Sequence, residues 1–138
     1  MTIDFHSVAT GDVLPAFSMT VSADEVRDYV RATGEDTVLW LEAGIVPPLA
    51  ALALTLAALT DEMPLPAGVI HSGQEVDFLE PIPIDAEITG YAVVDRRSER
   101  AGVLMTQLAF ELHCEERLAA RGKITIVMPT TAPVGVDA

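Results

Sequence analysis

Two periodicities divide the chain. In the first half apolar positions recur at helical spacing. VSADEV sets Ser22 at an N-cap with Glu25 three residues on, the pattern of a capping box, and Val21 and Val26 at the positions of a hydrophobic staple. Val26, Tyr29 and Val30 then form an apolar stripe against Arg27, Asp28 and Arg31, which predicts a short amphipathic helix to about Ala32, ended by Gly34. From Pro47 to Leu59 the run PPLAALALTLAAL carries no charge and is apolar on every side. A helix of that length spans about 20 Å, short of the roughly 30 Å core of a bilayer, so protein is expected to wrap it. Its paired prolines suit a first turn whose N–H groups have no intrahelical partner.

After MPLPAG the pattern becomes extended, with runs over Val69 to Leu79, Asp85 to Asp95, Gly102 to Cys114 and Leu118 to Met128. Ala86, Ile88, Ala92 and Val94 alternate with polar residues; so do Leu104, Leu108, Phe110 and Leu112, and then Leu118, Ala120, Ile124, Ile126 and Met128. Such alternation predicts half-buried antiparallel strands, joined by EPIP, RRSERAG and EER as loops. The stretch from Leu14 to Val21 adds an edge strand. A sheet with one apolar face and a helix apolar all round are both satisfied if the sheet curls around the helix. The expected fold class is therefore α+β, a hot-dog fold with an antiparallel sheet around one apolar central helix. It occupies residues 11–129 as a single domain, with an N-terminal extension over 1–10 and a flexible tail over 130–138.

Composition narrows the function classes. Half of the 138 residues are hydrophobic while the formal net charge is -13, which suits a folded, soluble chain and opposes nucleic-acid phosphates and anionic lipid as partners. The opening MTIDFHSVAT has no basic segment followed by an apolar stretch, so no secretory signal is expected and the expected compartment is the cytoplasm. Arg96, Arg97, Arg100, Arg117, Arg121 and Lys123 gather in the last third, as a local anion site or as scattered solvated side chains. The lone Cys114 rules out a disulfide framework, and its apolar and acidic neighbours disfavour a thiolate.

Three segments resemble the N-terminal, fatty-acid-synthase-like type of MaoC-like dehydratase domain: AGIVPPLAAL from Ala43 to Leu52, GVIHSGQEVDFLEPIP from Gly68 to Pro83, and LAARGKITIVM from Leu118 to Met128. The resemblance implies a domain that pairs with a second hot-dog copy and binds a CoA or carrier-protein thioester near the interface. It also implies an Asp-x-Asn-Pro-x-His motif, whose Asp and His activate the water added across a 2-enoyl thioester. The corresponding stretch is GEDTVLWL, with Asp36 at the Asp position, Val38 and Leu39 at the Asn and Pro positions, and Leu41 at the His position. Leucine takes no proton, so the resemblance implies a non-catalytic or partly catalytic hydratase or dehydratase subunit that shapes the groove and needs a motif-bearing partner; the pairings expected are a homodimer or a heterodimer with a motif-bearing hot-dog subunit. Water addition calls for no cofactor, and none is expected.

Asp36 and His71 are the candidate acid–base residues; the plainer readings are a Gly-Glu-Asp turn for Asp36 and a hydrogen-bonded sheet histidine for His71. Period two would put His71, Glu75 and Asp77 on one face of their strand and Gln74 on the other, more a wet dimer seam than a metal site, since no fourth ligand has suitable spacing. His113 shares a face with Glu111, and His6 lies in an unstructured start. Candidate substrate-binding residues are Gly44, Ile45, Val46 and Leu49, whose backbone N–H groups and helix dipole face a thioester carbonyl, with Trp40 as pocket wall and Arg96 and Arg97 for anionic groups. Pro47 and Pro48 remove two donors, leaving Leu49, Gly44 or Ile45 to supply the N–H. Rival readings are an acyl-CoA thioesterase using Glu42 or Asp36, and a hot-dog domain that binds thioesters without turnover.

Overall fold

The computed structural model of the chain describes residues 4–35, 37–62 and 67–130. Strand β1 (Phe17–Thr20) is followed by helices α1 (Ala23–Thr33), α2 (Thr37–Ala43) and α3 (Pro48–Glu62), then by strands β2 (Ile70–Phe78), β3 (Glu87–Arg100), β4 (Val103–Cys114) and β5 (Arg117–Pro129). The strands form one five-stranded sheet in the order β1-β3-β4-β5-β2. Every neighbouring pair is antiparallel.

Local chemistry accounts for the first helix. The Ser22 hydroxyl accepts from the Glu25 N–H, Gly34 closes the helix at φ 74°, and Val21, Val26 and Val30 are buried. The strand faces follow the alternation in sequence. Ile88, Ala92 and Val94 of β3, Leu104, Leu108, Phe110 and Leu112 of β4, and Ala120, Ile124, Ile126 and Met128 of β5 form the buried inner face. Against it lie Ala50, Ala51, Leu52, Thr55 and Leu59 of α3.

Four features depart from the sequence reading. First, RRSERAG is not a loop: β3 runs on through Arg100, and the turn is Ala101–Gly102 alone, with φ of 53° and 78°. The β4–β5 turn repeats the device at Glu115 and Glu116, with φ of 54° and 65°. Positive φ at both central residues matches the twist of the flanking strands, which is why two-residue hairpins use it. Second, the segment before Gly11 is not a loose start. Phe5 and Val8 lie in the core, and Gly11, Asp12 and Leu14 exchange backbone hydrogen bonds with Ala92 and Val94 of β3. Third, Thr37–Ala43 is helical. Its end is a Schellman closure, with Gly44 at φ 68° and bonds from Gly44 N–H to Leu41 O and from Ile45 N–H to Trp40 O. Fourth, α3 is wrapped on one side only: Leu49, Ala53 and Ala57 face outward.

The two sheet edges are unlike. The β1 side is short, and residues 11–14 extend it along β3. On the other side β2 is a nine-residue strand that pairs with β5 alone and is exposed along most of its length, Ile70 and Phe78 included.

Candidate functional site

The first turn of α3 is held by three backbone ties. Val46 N–H donates to Ile82 O at 2.8 Å, Ile84 N–H to Gly44 O at 2.9 Å, and Ile45 bridges to Pro83. The extra residue of β5 around Ala119, where the β4 register shifts, turns the Ala119 carbonyl toward the chain leaving β2. That carbonyl accepts from Leu79 N–H at 2.8 Å and Glu80 N–H at 3.2 Å. These ties bring Trp40 of α2, Ile45, Val46 and Pro48 at the entry of α3, and Phe78 to Ile82 beyond β2 around a cavity of about 310 Å³. That is within the size range of small-ligand sites. The Trp40 indole is fixed by donation from Nε1 to Glu35 Oε2 at 3.0 Å.

Of the N–H donors considered at this turn, three are already used: Gly44 and Ile45 by the Schellman closure and Val46 by Ile82. Pro47 and Pro48 have none. The Leu49 N–H has no acceptor among the described residues and adjoins Pro48 in the cavity wall. A single donor at the positive end of a 15-residue helix is thus left free to polarise a bound carbonyl.

No protein-family model and no curated protein sequence matches the chain. Solved structures do match it. An (R)-hydratase from A. caviae involved in PHA biosynthesis superposes at a TM-score of 0.75 with 21% identity, over 89% of this chain and 98% of the other. A MaoC-like dehydratase from Rhodospirillum rubrum gives a TM-score of 0.73 at 14% identity, over 94% and 98%. The C-terminally truncated HadBC (3R-hydroxyacyl-ACP dehydratase) complex from Mycobacterium tuberculosis gives 0.72 at 13% identity, over 89% and 99%. The chain has the hot-dog fold of MaoC-like dehydratases and (R)-hydratases.

Within this hot dog the candidate residues divide. Trp40, Ile45 and Val46 meet at the cavity. Gly44 supports it through its carbonyl, and Leu49 offers its N–H while its side chain is exposed. Asp36 lies outside the described residues. Leu41, at the motif's His position, is half-buried on α2.

His71 is not at the cavity. It opposes Ile126 near the start of β2, whereas Phe78, at the cavity, opposes Ala120. Seven residues of strand put the two about 20 Å apart. A bulge between His71 and Gly73 also breaks the period, so His71 shares the inner face with Gln74, Val76 and Phe78, while Glu75 and Asp77 face outward. The expected row of His71, Glu75 and Asp77 is therefore absent, and Gln74 is exposed. Among the described residues no group of three His, Cys, Asp or Glu side chains is placed to hold a metal ion.

Arg96 and Arg97 are also remote from the cavity. They pair with Gln107 and Thr106 at the far end of β3, and Arg96 is solvent-exposed. Arg97 turns inward, where its Nη2 donates to the His6 carbonyl and its buried Nε finds no partner among the described residues. It fastens the N-terminal segment over the core. On the outer face His113 Nε2 lies 3.6 Å from Glu111 Oε2 and meets the Tyr91 ring edge-on. Burial first, and then the Glu115 charge, push the Cys114 thiol up, which leaves it a poor nucleophile.

Sequence reasoning missed Glu80, the one titratable residue among the described residues that line the cavity. Its signal lay in the EPIP segment, read as a connection: a carboxylate between the end of a strand and a proline turn. Glu42, named for a thioesterase, lies instead beside Arg27, Arg31, Val38 and Leu41 in a hollow between α1 and α2.

Proposed function

We propose that this chain is the acyl-thioester-binding subunit of an (R)-specific enoyl-thioester hydratase or 3-hydroxyacyl-thioester dehydratase, working with a motif-bearing hot-dog partner in the cytoplasm. The observation that carries the reading is the apolar cavity at the first turn of α3, with the free Leu49 N–H beside it. A thioester carbonyl seated there accepts from Leu49, and the helix dipole stabilises the enolate-like charge that builds up as water adds or leaves. Trp40, Ile45 and Phe78 offer the apolar surface for the acyl group. No histidine lines the cavity, and Leu41 stands where the motif would place one, so the partner supplies the acid–base pair. Its place is the bare β2 edge, where unpaired backbone groups await another strand. The (R)-hydratase and the hydroxyacyl-ACP dehydratase among the structural neighbours support this substrate class.

One observation favours a second reading. Glu80, alone among the titratable groups of the described residues at the cavity, is placed to activate a water against a thioester, as an acyl-CoA thioesterase requires.

A thermal-shift titration with crotonyl-CoA tests the binding claim. At about a hundredfold excess over Kd, Tm is expected to rise by about 5 °C or more. Free CoA, lacking the acyl group, is expected to give a smaller rise. Equal shifts from both, or no shift from either, would sink the proposal.

A further inference from the structure

The charge carried by the β2 edge goes beyond what a generic hot-dog pairing requires. On its outward face stand Glu75 and Asp77, with Glu111 two strands away in the same patch. The bases beside them are Arg121, opposite Asp77 and 3.8 Å from it, and Lys123, opposite Glu75 but with its Nζ 3.2 Å from Asp95, so two bases face four carboxylates. Glu75 makes no ion pair among the described residues. The seam is left with acid that the chain does not balance.

A second copy meets this seam badly. If two sheets are to continue as one with both α3 helices on the same side, paired residues must share a face. The bulge at Ser72 interrupts the ladder, so regular pairing runs from Gly73 to Phe78. A two-fold axis at Glu75 sets that carboxylate against itself, and one at Val76 sets Glu75 against Asp77 twice. One at Asp77 again sets like against like. An axis at Gln74 or Gly73 avoids these pairs but runs the new ladder into the bulge, and one at Phe78 runs it past the end of β2 into Pro81. Like charges directly opposite destabilise a strand pair, and two copies at -13 each also repel at long range.

We propose that the β2 edge selects a hot-dog chain different from this one, with lysine or arginine opposite Glu75 and Asp77, and disfavours a second copy. The inference rests on the partner-subunit reading above and names that partner's charge. The exposed Ile70, Phe78 and Leu79 supply apolar contact with any hot-dog partner; the carboxylates decide which one.

The chain itself can be turned into the surrogate partner. In the double variant Glu75→Lys, Asp77→Lys, every axis position that opposes acid to acid in the homodimer opposes acid to base when variant meets wild type. Native mass spectrometry and sedimentation velocity would read the species in wild type, variant and a 1:1 mixture. The mixed dimer is expected to be at least about tenfold tighter than the wild-type homodimer and to weaken as salt rises. The wild-type homodimer is expected to strengthen between about 0.05 M and about 0.5 M salt, as repulsion is screened.

A wild-type homodimer as tight as the mixed one, or no mixed dimer at about 100 µM, would overturn the proposal. So would wild-type self-association that does not grow with salt, a result independent of whether the variant folds. Assembly is read by mass and binding by thermal shift, so a tight, salt-indifferent homodimer that still binds crotonyl-CoA removes this inference and leaves the thioester reading in place.

Discussion

Replacing Gly90 by valine is expected to cost the fold about 3 kcal/mol or more. Gly90 of β3 opposes Phe17 of β1, and the Phe17 ring lies across the space a side chain would fill. A Cβ at this position would come within 2.0 Å of Phe17 Cζ and 2.2 Å of Cε2. The ring is almost fully buried and β1 holds only four residues, so relief means expelling Phe17 and loosening the short edge of the sheet. Denaturant unfolding reads the effect as a drop in midpoint. The same substitution in a Phe17→Ala background is expected to lose much less than in the wild type, because the clash has gone. Equal losses in the two backgrounds would show that Phe17 is not the obstacle.

Truncating Trp40 to alanine is expected to weaken crotonyl-CoA binding by about 10- to 100-fold, with a modest fall in Tm from the packing lost on the core. The indole is half-buried in the free chain, lines the cavity, is held by Glu35 through Nε1 and packs only in part against the core, so its removal strips the site more than the fold. Trp40→Phe, which keeps an aromatic ring but loses the N–H, is expected to fall between. Isothermal calorimetry gives the affinities directly. Unchanged affinity in Trp40→Ala would place the acyl group elsewhere.

The fold was largely readable because its signals are local. Ser22, Glu25 and Gly34 bracket α1 within a dozen residues, and the β3, β4 and β5 alternation is carried by each strand alone. Errors arose where a distant contact overrides a local pattern. Arg96 to Arg100 read as a polar loop because all five side chains are polar, yet the ladder with Val103 to Gln107 keeps the segment extended. The Thr-Val-Leu-Trp run lacks strong helix signals, and α2 owes its form to its Gly44 closure and its packing on α1. Leu49, Ala53 and Ala57 satisfied the expectation of an all-apolar helix without telling how much of it one chain covers.

The site was less readable. The small-residue turn and Pro-Pro entry located the right end of α3, and with it Trp40, Ile45 and Val46. No sequence period reveals that the Gly44 and Ile45 N–H groups are consumed in closing α2, which singles out Leu49. One inserted residue at Ser72 separates His71 from Glu75 and Asp77, and period two cannot register it. Arg97 answers a carbonyl 91 residues earlier in the chain. Each of these depends on three-dimensional closure, where a change of a single residue alters which groups meet.

The central claim is that this chain binds an acyl thioester at the start of α3 and leaves the chemistry to a partner. Its most direct test is to incubate the purified chain alone with crotonyl-CoA while following enoyl absorbance and free thiol together. The account predicts a saturable thermal shift with both channels silent, and enoyl loss only once a hot-dog subunit bearing the complete motif is added. Rapid enoyl loss without thiol release by the isolated chain would contradict it by showing a self-sufficient hydratase, and thiol release abolished by Glu80→Gln would put the thioesterase in its place.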